Sequence, residues 1–277
     1  MIDNIFILIN NALDNFIVRS LIGGIILASL LSILSLFVYL KNWSFINVGI
    51  SHATFGGLAL GVFLGVSPTI TALIFAILIA LLIGYISRNG SINEDVSIGI
   101  LFSMSMAFGV IILTKTSNYT SDLFSFLFGD ILTISENDVF ILSIFFMLII
   151  PFIFIKYWKI MFCCYNEEVA YVSGVNTTFY YYTLLIIIAI ATVLAVKLVG
   201  VILASAMMIL PTALSKQFFW HYKKIIIFSV ISSITFVVLG IYISYILETP
   251  PGATIVFIYS LVFFIVFGIN KSKELLR

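Results

Sequence analysis

Charged residues are scarce in this chain: only 9% of its 277 residues are Asp, Glu, Lys or Arg, whereas 62% are hydrophobic. About a quarter of the residues in a soluble domain are charged, so the composition excludes a soluble enzyme and a disordered protein. The 13 basic and 12 acidic side chains give a net charge of +1, which provides no basic surface for nucleic acid. We therefore expect an all-α integral membrane protein surrounded by a lipid bilayer.

Several chemical signatures are also missing. The only two cysteines, Cys163 and Cys164, are adjacent and cannot form a disulfide framework. No G-x-x-x-x-G-K-[ST] segment is present, so the chain has no P-loop for ATP. No pair of carboxylates lies within an apolar run, as an ion-coupled or catalytic site in the bilayer would require. We expect no enzyme activity and no bound cofactor, and any transport would draw its energy from another subunit.

Apolar runs of membrane-crossing length fill most of the chain. A helix needs about 20 apolar residues to cross a hydrocarbon core about 30 Å thick. Turn signals such as Ser67-Pro68 separate the runs. The sequence predicts one helical domain over 1–277 with eight to nine spans, because the seventh run is short, ends near Pro211 and is either a span or a broken, partly re-entrant segment. The predicted spans are 18–40, 47–66, 68–87, 96–114, 138–156, 178–197, 198–215, 224–247 and 252–269.

Lys and Arg are distributed unequally between alternate loops. If the loop at Lys41 is cytoplasmic, ten of the 13 basic residues lie on that side, and only Arg19, Lys115 and Lys197 lie on the other. The positive-inside rule then predicts a cytoplasmic C-terminus. Residues 1–16 would lie outside as a short surface helix. A tenth span is the alternative, which five polar residues disfavour: Asp3, Asn4, Asn10, Asn11 and Asp14.

The second predicted span carries the most informative pattern. Small residues recur there at every fourth position, so they form one ridge along a helix. Ridges of this kind allow membrane helices to approach each other closely, and we expect this one to pack against a neighbouring helix. The ridge consists of Gly49, Ala53, Gly57, Gly61 and Gly65.

His52 lies beside this ridge and is the only titratable side chain deep within a predicted span. It is about 12 Å along the helix from Ser44, close to the bilayer midplane. Neutral imidazole binds zinc and other transition metals, but a buried packing histidine explains the residue as well. If His52 binds metal on a translocation path, the other ligands must come from water, a partner helix or Asn47, with Ser51 beside them.

These residues resemble ABC-transporter permeases that import zinc, manganese or iron. The segment from Trp43 to Gly65 matches the pattern S-F-x-x-x-G-I-S-H-A-x-F-G-G-L-A-L-G. Five further motifs of this family follow in the same order and extend the resemblance from about residue 19 to 269. They lie at 93–100, 121–130, 167–175, 197–211 and 247–256.

The resemblance implies a type II-like importer permease in the bacterial cytoplasmic membrane, working as a homodimer. It also implies two cytoplasmic ATPase subunits, which bind the ATP, and an extracytoplasmic metal-binding protein. A divalent metal, zinc slightly ahead of manganese, would be cargo moved by alternating access. The segment 157–177 would be a cytoplasmic coupling loop, with Glu167 and Glu168 at the ATPase and Gly174 ending a short helix. Arg19 would contact the binding protein or snorkel to the interface.

One residue departs from the family pattern. Many manganese- and zinc-type members carry Asp four residues before the histidine, where this chain has Val48. A metal site at His52 is therefore only partly supported. Within transport, the alternative is an importer of iron chelates or cobalamin, and the close-packed ridge argues weakly against such a wide path. Outside this class, the alternative is a secondary carrier or a membrane enzyme that works without an ATPase.

Overall fold

The structure is a computed structural model that describes residues 16–90, 92–115, 131 and 134–275. The surface helix predicted over 1–16 lies outside these ranges except for Phe16, and the motif at 121–130 lies outside them entirely. The described residues form ten helices and no strand, which confirms the all-α prediction. The helices are α1 (Phe16–Leu40), α2 (Ile46–Leu64), α3 (Pro68–Asn89), α4 (Glu94–Leu113), α5 (Glu136–Tyr165), α6 (Glu167–Val172), α7 (Thr177–Met207), α8 (Leu210–Ser215), α9 (Tyr222–Leu247) and α10 (Pro251–Leu275).

Local signals set the helix boundaries. Gly65 ends α2 in the left-handed region at φ 67°, which glycine adopts without steric cost. Pro68 occupies the first position of α3, where its missing N–H is not needed. Ser135 and Asp138 form a capping box at the start of α5, each accepting from the other's backbone N–H at 3.2 Å.

The fifth helix is longer than the sequence predicted. Its predicted end was 156, and 157–177 was predicted as a loop, but α5 continues through Tyr165. The two lysines at 156 and 159 suggested a boundary, yet long basic side chains are accommodated at the end of a span by snorkelling. Buried residues continue at helical spacing past Lys156, at Tyr157, Ile160 and Cys164.

Ion pairs identify the two ends of the helical bundle. At one end, which we name the Arg19 end, Arg19 lies 3.6 Å from Glu136, and Lys197 lies 2.6 Å from Asp138. At the other, the Lys41 end, Lys41 lies 3.0 Å from Glu167. The helix α1 therefore runs from the Arg19 end to the Lys41 end.

The chain reverses direction at Gly200. The helix α7 contains one residue with non-helical dihedral angles, Gly200, at φ 79° and ψ 170°. Lys197, just before it, lies at the Arg19 end. Thr212, after it, hydrogen-bonds Ser35 at 2.6 Å near the Lys41 end of α1. The lengths agree, since about 24 Å separate residues 19 and 35 of α1 and about 22 Å separate 197 and 212 if both stretches are helical.

This reversal explains the span count. Eight segments of the described chain are long and apolar enough to cross a membrane, and the sixth of these is Thr177–Ser215. Because this segment folds back at Gly200, it contains both the sixth and the seventh predicted span. The returning part, 201–215, is short and mostly buried, and irregular backbone such as that at Ile209 is tolerated at membrane depth only inside protein. The prediction of eight to nine spans is confirmed.

Hydroxyl groups join neighbouring helices inside the bundle. The helices α1 and α7 are the most buried, and α5 and α10 expose most of their apolar surface. Buried hydroxyl pairs connect α8 to α9 and α9 to α10, at Ser215–Ser229 and Ser232–Tyr259, both 2.8 Å. Such hydrogen bonds stabilise helix contacts in membranes by roughly 0.6–2 kcal/mol each.

The small-residue ridge of α2 packs against two helices of the same chain. A Cβ atom added at Gly57 would lie 2.8 Å from the Cα of Ala72 on α3, and one at Gly61 would lie 2.8 Å from the Cα of Pro68. Gly49 instead meets Ile98 on α4. The packing does not extend to Gly65, where no described atom lies within 4 Å of such a Cβ and the residue serves as the helix cap.

This packing predicts that Gly57→Ala destabilises the bundle. The added methyl group meets backbone atoms of α3 that cannot rotate away, so we expect the free energy of unfolding to fall by about 1–3 kcal/mol. Gly99→Ala is the matched control, because no described atom lies within 4 Å of its added Cβ, and the better helix propensity of alanine is worth up to about 1 kcal/mol. Thermal unfolding of the two purified variants measures the difference. Equal melting temperatures would contradict close packing at Gly57.

Candidate functional site

His52 lies on the side of α2 that faces α4. Its ring meets the ring of Phe102 edge-on, with 5.2 Å between the centroids, and the side chain is only partly buried. Since α2 begins at Ile46, His52 is about 9 Å along a helix about 28 Å long. It therefore lies in the third of α2 nearest the Lys41 end, rather than at its middle.

Asn47 and Ser51 do not share this side. Both are fully buried. The Asn47 side-chain oxygen accepts a hydrogen bond from Thr192 on α7, and the Ser51 hydroxyl donates to the carbonyl oxygen of Val48 at 2.9 Å. The prediction that they accompany His52 on a translocation path is not supported by this geometry. They are close in sequence, but residues one position apart point about 100° apart around a helix.

The half-exposed stripe of α2 is almost entirely apolar. Phe45 is exposed, and Val48, His52 and Phe55 are partly exposed at helical spacing along one face. His52 is the only ionisable residue of this stripe. No group of three or more His, Cys, Asp or Glu side chains within the described ranges is arranged to hold a metal ion. In a single chain, α2 thus presents one imidazole and no complete metal site.

The short helix α6 has two different faces. Ala170 is fully buried against the bundle. Glu168 is exposed, as are two apolar residues in the next turn, Tyr171 at 72% and Val172 at 85%. Exposed apolar side chains grouped beyond the end of a span are typical of a protein-binding surface.

Hydrogen bonds hold both ends of α6. Asn166 caps its start by accepting from the backbone N–H of Val169 at 3.0 Å. At its end, Gly174 adopts φ 81°, its N–H donates to Tyr171 at 2.9 Å, and the Val175 N–H donates to Ala170 at 3.0 Å. These two bonds form a Schellman motif. The predicted role of Gly174 as the residue that ends this helix agrees with its geometry.

Glu167 faces the bundle, unlike Glu168. Its carboxylate pairs with both Lys41 and Arg88, and all three side chains are at least two-thirds buried, with Lys41 14% exposed. Burial, and to a smaller extent the Arg88 guanidinium, lower the pKa of the Lys41 ammonium. We name these three residues the Glu167 triad.

Aromatic rings complete the surroundings of the triad. The Arg88 guanidinium lies over the ring of Tyr181 on α7, 4.4 Å from its centroid, and the Lys41 ammonium lies 5.6 Å from it. Trp43, which is 1% exposed, meets the same ring edge-on at 5.3 Å. Cation–π contacts of this kind stabilise cations that have lost water.

The Arg19 end contains the second set of charges. Arg19 was predicted to contact a binding protein or the interface, and the structure pairs it with Glu136 across 3.6 Å. Lys197, directly before the reversal at Gly200, pairs with Asp138. Both acids belong to the first turn of α5, so this turn joins α1 and α7.

Sequence reasoning missed the partners of the predicted residues. Arg88, Thr192 and Tyr181 were not singled out, although each contacts a residue that was. Arg88 and Tyr181 carried a signal, because one is a charge and the other a ring next to a predicted span end. Their contacts are distant in sequence, since Arg88 pairs with Glu167, which is 79 positions away. Thr192 carried none, because a hydroxyl within an apolar run usually bonds its own helix.

A model of the family described as ABC 3 transport family matches residues 13–270. A probable metal transport system membrane protein of Thermotoga maritima is 34% identical over 88% of this chain and 86% of its own length. The manganese import system permease protein ScaB of Streptococcus gordonii is 31% identical over 95% and 94%.

A solved structure supports the same relationship. PsaBC from Streptococcus pneumoniae, in complex with Fab, has a chain that is 32% identical, with a TM-score of 0.80 over 91% of both chains. The sequence match covers nearly the whole chain, and the structural match includes the same multi-helix bundle. The chain therefore belongs to the ABC 3 transport family.

Proposed function

We propose that this chain is the membrane permease of an ATP-driven importer that moves a divalent transition metal into the cytoplasm. The observation that carries the proposal is the near-full-length similarity to relatives named as membrane proteins of manganese transport or import systems, such as ScaB. These names favour manganese over zinc as the cargo. The close packing of α2 against α3 at Gly57 and Gly61 favours a bare ion over a bulky chelate.

In this proposal the Lys41 end faces the cytoplasm. Of the 13 basic residues, twelve are described, since Arg277 is not. Nine of these twelve belong to the Lys41 end, and Arg19, Lys115 and Lys197 to the other. Basic residues remain on the cytoplasmic side of membrane proteins. The end of α10 then faces the cytoplasm, and the Arg19 end receives metal from an extracytoplasmic binding protein.

The helix α6 is the proposed docking site for a cytoplasmic ATPase. It lies outside the long apolar segments, at the proposed cytoplasmic end. Its exposed residues Glu168, Tyr171 and Val172 combine an acid with apolar surface, and tyrosines of this kind contribute strongly to protein interfaces. Energy from ATP would enter the permease here.

Metal is proposed to pass the half-exposed stripe of α2 between two copies of the chain. His52 is the one polar contact on that stripe, and Val48 supplies no carboxylate. The imidazole would then bind the passing ion weakly, and a conduit needs weak binding because it must release its cargo. Alternating access of the homodimer would expose this stripe first to the outside and then to the cytoplasm.

A first prediction concerns His52. In cells that lack their own importer, the complete transporter should take up radioactive manganese in preference to zinc. Because His52→Ala removes the imidazole from the proposed path, it should lower manganese uptake about tenfold or more, and a tenfold change corresponds to ~1.4 kcal/mol. The ATPase should still bind the variant. Thr235→Ala, an exposed position on α9, is the control and should transport normally. Unchanged uptake by His52→Ala would return the residue to a packing role.

A second prediction concerns Glu168. The charge reversal Glu168→Arg should abolish co-purification of the ATPase and manganese uptake while the permease remains in the membrane, because the exposed acid is replaced at the docking surface. Lys159→Glu, an exposed position on α5 at the same end, makes a charge change of equal size and should leave both unchanged. Normal ATPase binding to Glu168→Arg would contradict the proposal that α6 is the docking site.

A further inference from the structure

The two adjacent glutamates of α6 have different surroundings. Glu168 is exposed, whereas Glu167 is 31% exposed in its side chain and pairs with two cations. A partner protein that binds the exposed face of α6 therefore does not need to contact Glu167. The role of Glu167 has to be explained from the residues that it joins.

Each cation of the Glu167 triad lies at the end of a different transmembrane helix. Lys41 directly follows α1, and Arg88 lies in the last turn of α3. The carboxylate of Glu167 is the only acidic group that links them to α6 among the described residues. A movement of α6 therefore acts on the ends of both helices at once.

Breaking either ion pair is costly because of where the pairs lie. Lys41 is 14% and Arg88 23% exposed, and removing one partner of a buried ion pair leaves an uncompensated charge at high cost. Tyr181 covers both cations from the side of α7. This arrangement restricts the cations to positions facing Glu167.

The helix α3 continues this connection toward α2. At Gly84 it approaches α7 so closely that an added Cβ would lie 2.7 Å from Leu185. Near its other end it packs against Gly57 and Gly61 of α2 through backbone atoms. Tight contacts of this kind move together rather than deform. A displacement of Arg88 along α3 therefore reaches the helix that carries His52.

We propose that Glu167 is a positioning residue that latches α6 to α1 and α3 and thereby transmits the movement of a docked ATPase to α2. This inference rests on the proposed docking of the ATPase at α6. It assigns separate tasks to the adjacent acids, because Glu168 belongs to the docking surface and Glu167 to the connection behind it. Neutralising Glu167 then uncouples the transporter without dissociating it.

The test uses the complete transporter with its ATPase, reconstituted in liposomes with manganese-loaded binding protein. Glu167→Gln keeps the shape of the side chain and removes its charge. We expect the ATPase to co-purify in normal amount and ATP hydrolysis to continue, while manganese transported per ATP hydrolysed falls at least about fivefold, the lower range of coupling between sites. Lys159→Gln removes a charge from an exposed residue at the same end and should leave this ratio unchanged.

A charge exchange provides the second measurement. Arg88→Glu alone should lower the transport ratio as Glu167→Gln does. The double variant Arg88→Glu with Glu167→Arg keeps the net charge of the triad at +1 and reverses the pair. Its manganese transported per ATP hydrolysed should be at least about fivefold higher than that of Arg88→Glu alone, since residues in one ion-pair network are energetically coupled. This readout remains valid if the Glu167→Gln permease itself fails to fold or to reach the membrane.

The possible failures are distinguishable. An unchanged transport ratio in Glu167→Gln, or no recovery in the double variant, would overturn the latch. Loss of ATPase binding in Glu167→Gln would make Glu167 a docking residue and also overturn it. Normal ATPase binding in Glu168→Arg would instead contradict the proposed docking site.

Discussion

The cost of an unpaired charge next to hydrocarbon organises this protein. Charged groups are expensive inside a bilayer, and the four ion pairs of the described residues lie at the two ends of the bundle. At the Arg19 end, the pairs made by Glu136 and Asp138 attach the start of α5 to α1 and α7. At the Lys41 end, Glu167 attaches α6 to α1 and α3. Electrostatic attraction therefore sets how the helix ends meet, and small residues and hydroxyls set how the helices pack between them.

This separation of charged groups at the ends from neutral groups between them suits the proposed conduit better than a pump with its own ion site. Between its helices the described bundle contains hydroxyl pairs such as Ser35–Thr212 and the amide of Asn47, and these groups cannot hold or exchange a proton near neutral pH. Among the described membrane-crossing segments, His52 is the only histidine, and it lies in the third of α2 nearest the Lys41 end. The ends carry the charges, and they are also where the proposed ATPase and binding protein would attach. Energy and selectivity would thus come from partners, and the chain would supply a path and a mechanical connection.

The sequence predicted the class, the number of spans and the close approach of α2. Apolar length, capping residues and a four-residue period of small residues are local signals, because each acts through residues that are close together in the sequence. The predictions were less successful at faces and boundaries. Asn47 was grouped with His52 because the two are close in sequence, although helical rotation directs Asn47 toward Thr192. The end of α5 was predicted at 156 because Lys156 and Lys159 resemble a loop, although the helix continues to Tyr165.

The sequence by itself determined that the chain is a helical membrane protein, because a chain with so few charges and such long apolar runs has no stable folded form in water. It also determined which residues cap helices and which are small enough for close contact. Only the tertiary structure decided that Gly200 reverses the chain and that Glu167 faces Lys41 and Arg88 while Glu168 faces outward. Those outcomes depend on pairs between 59 and 177 positions apart in the chain, which adjacent residues cannot encode, because the attraction between two charges depends on their distance in space.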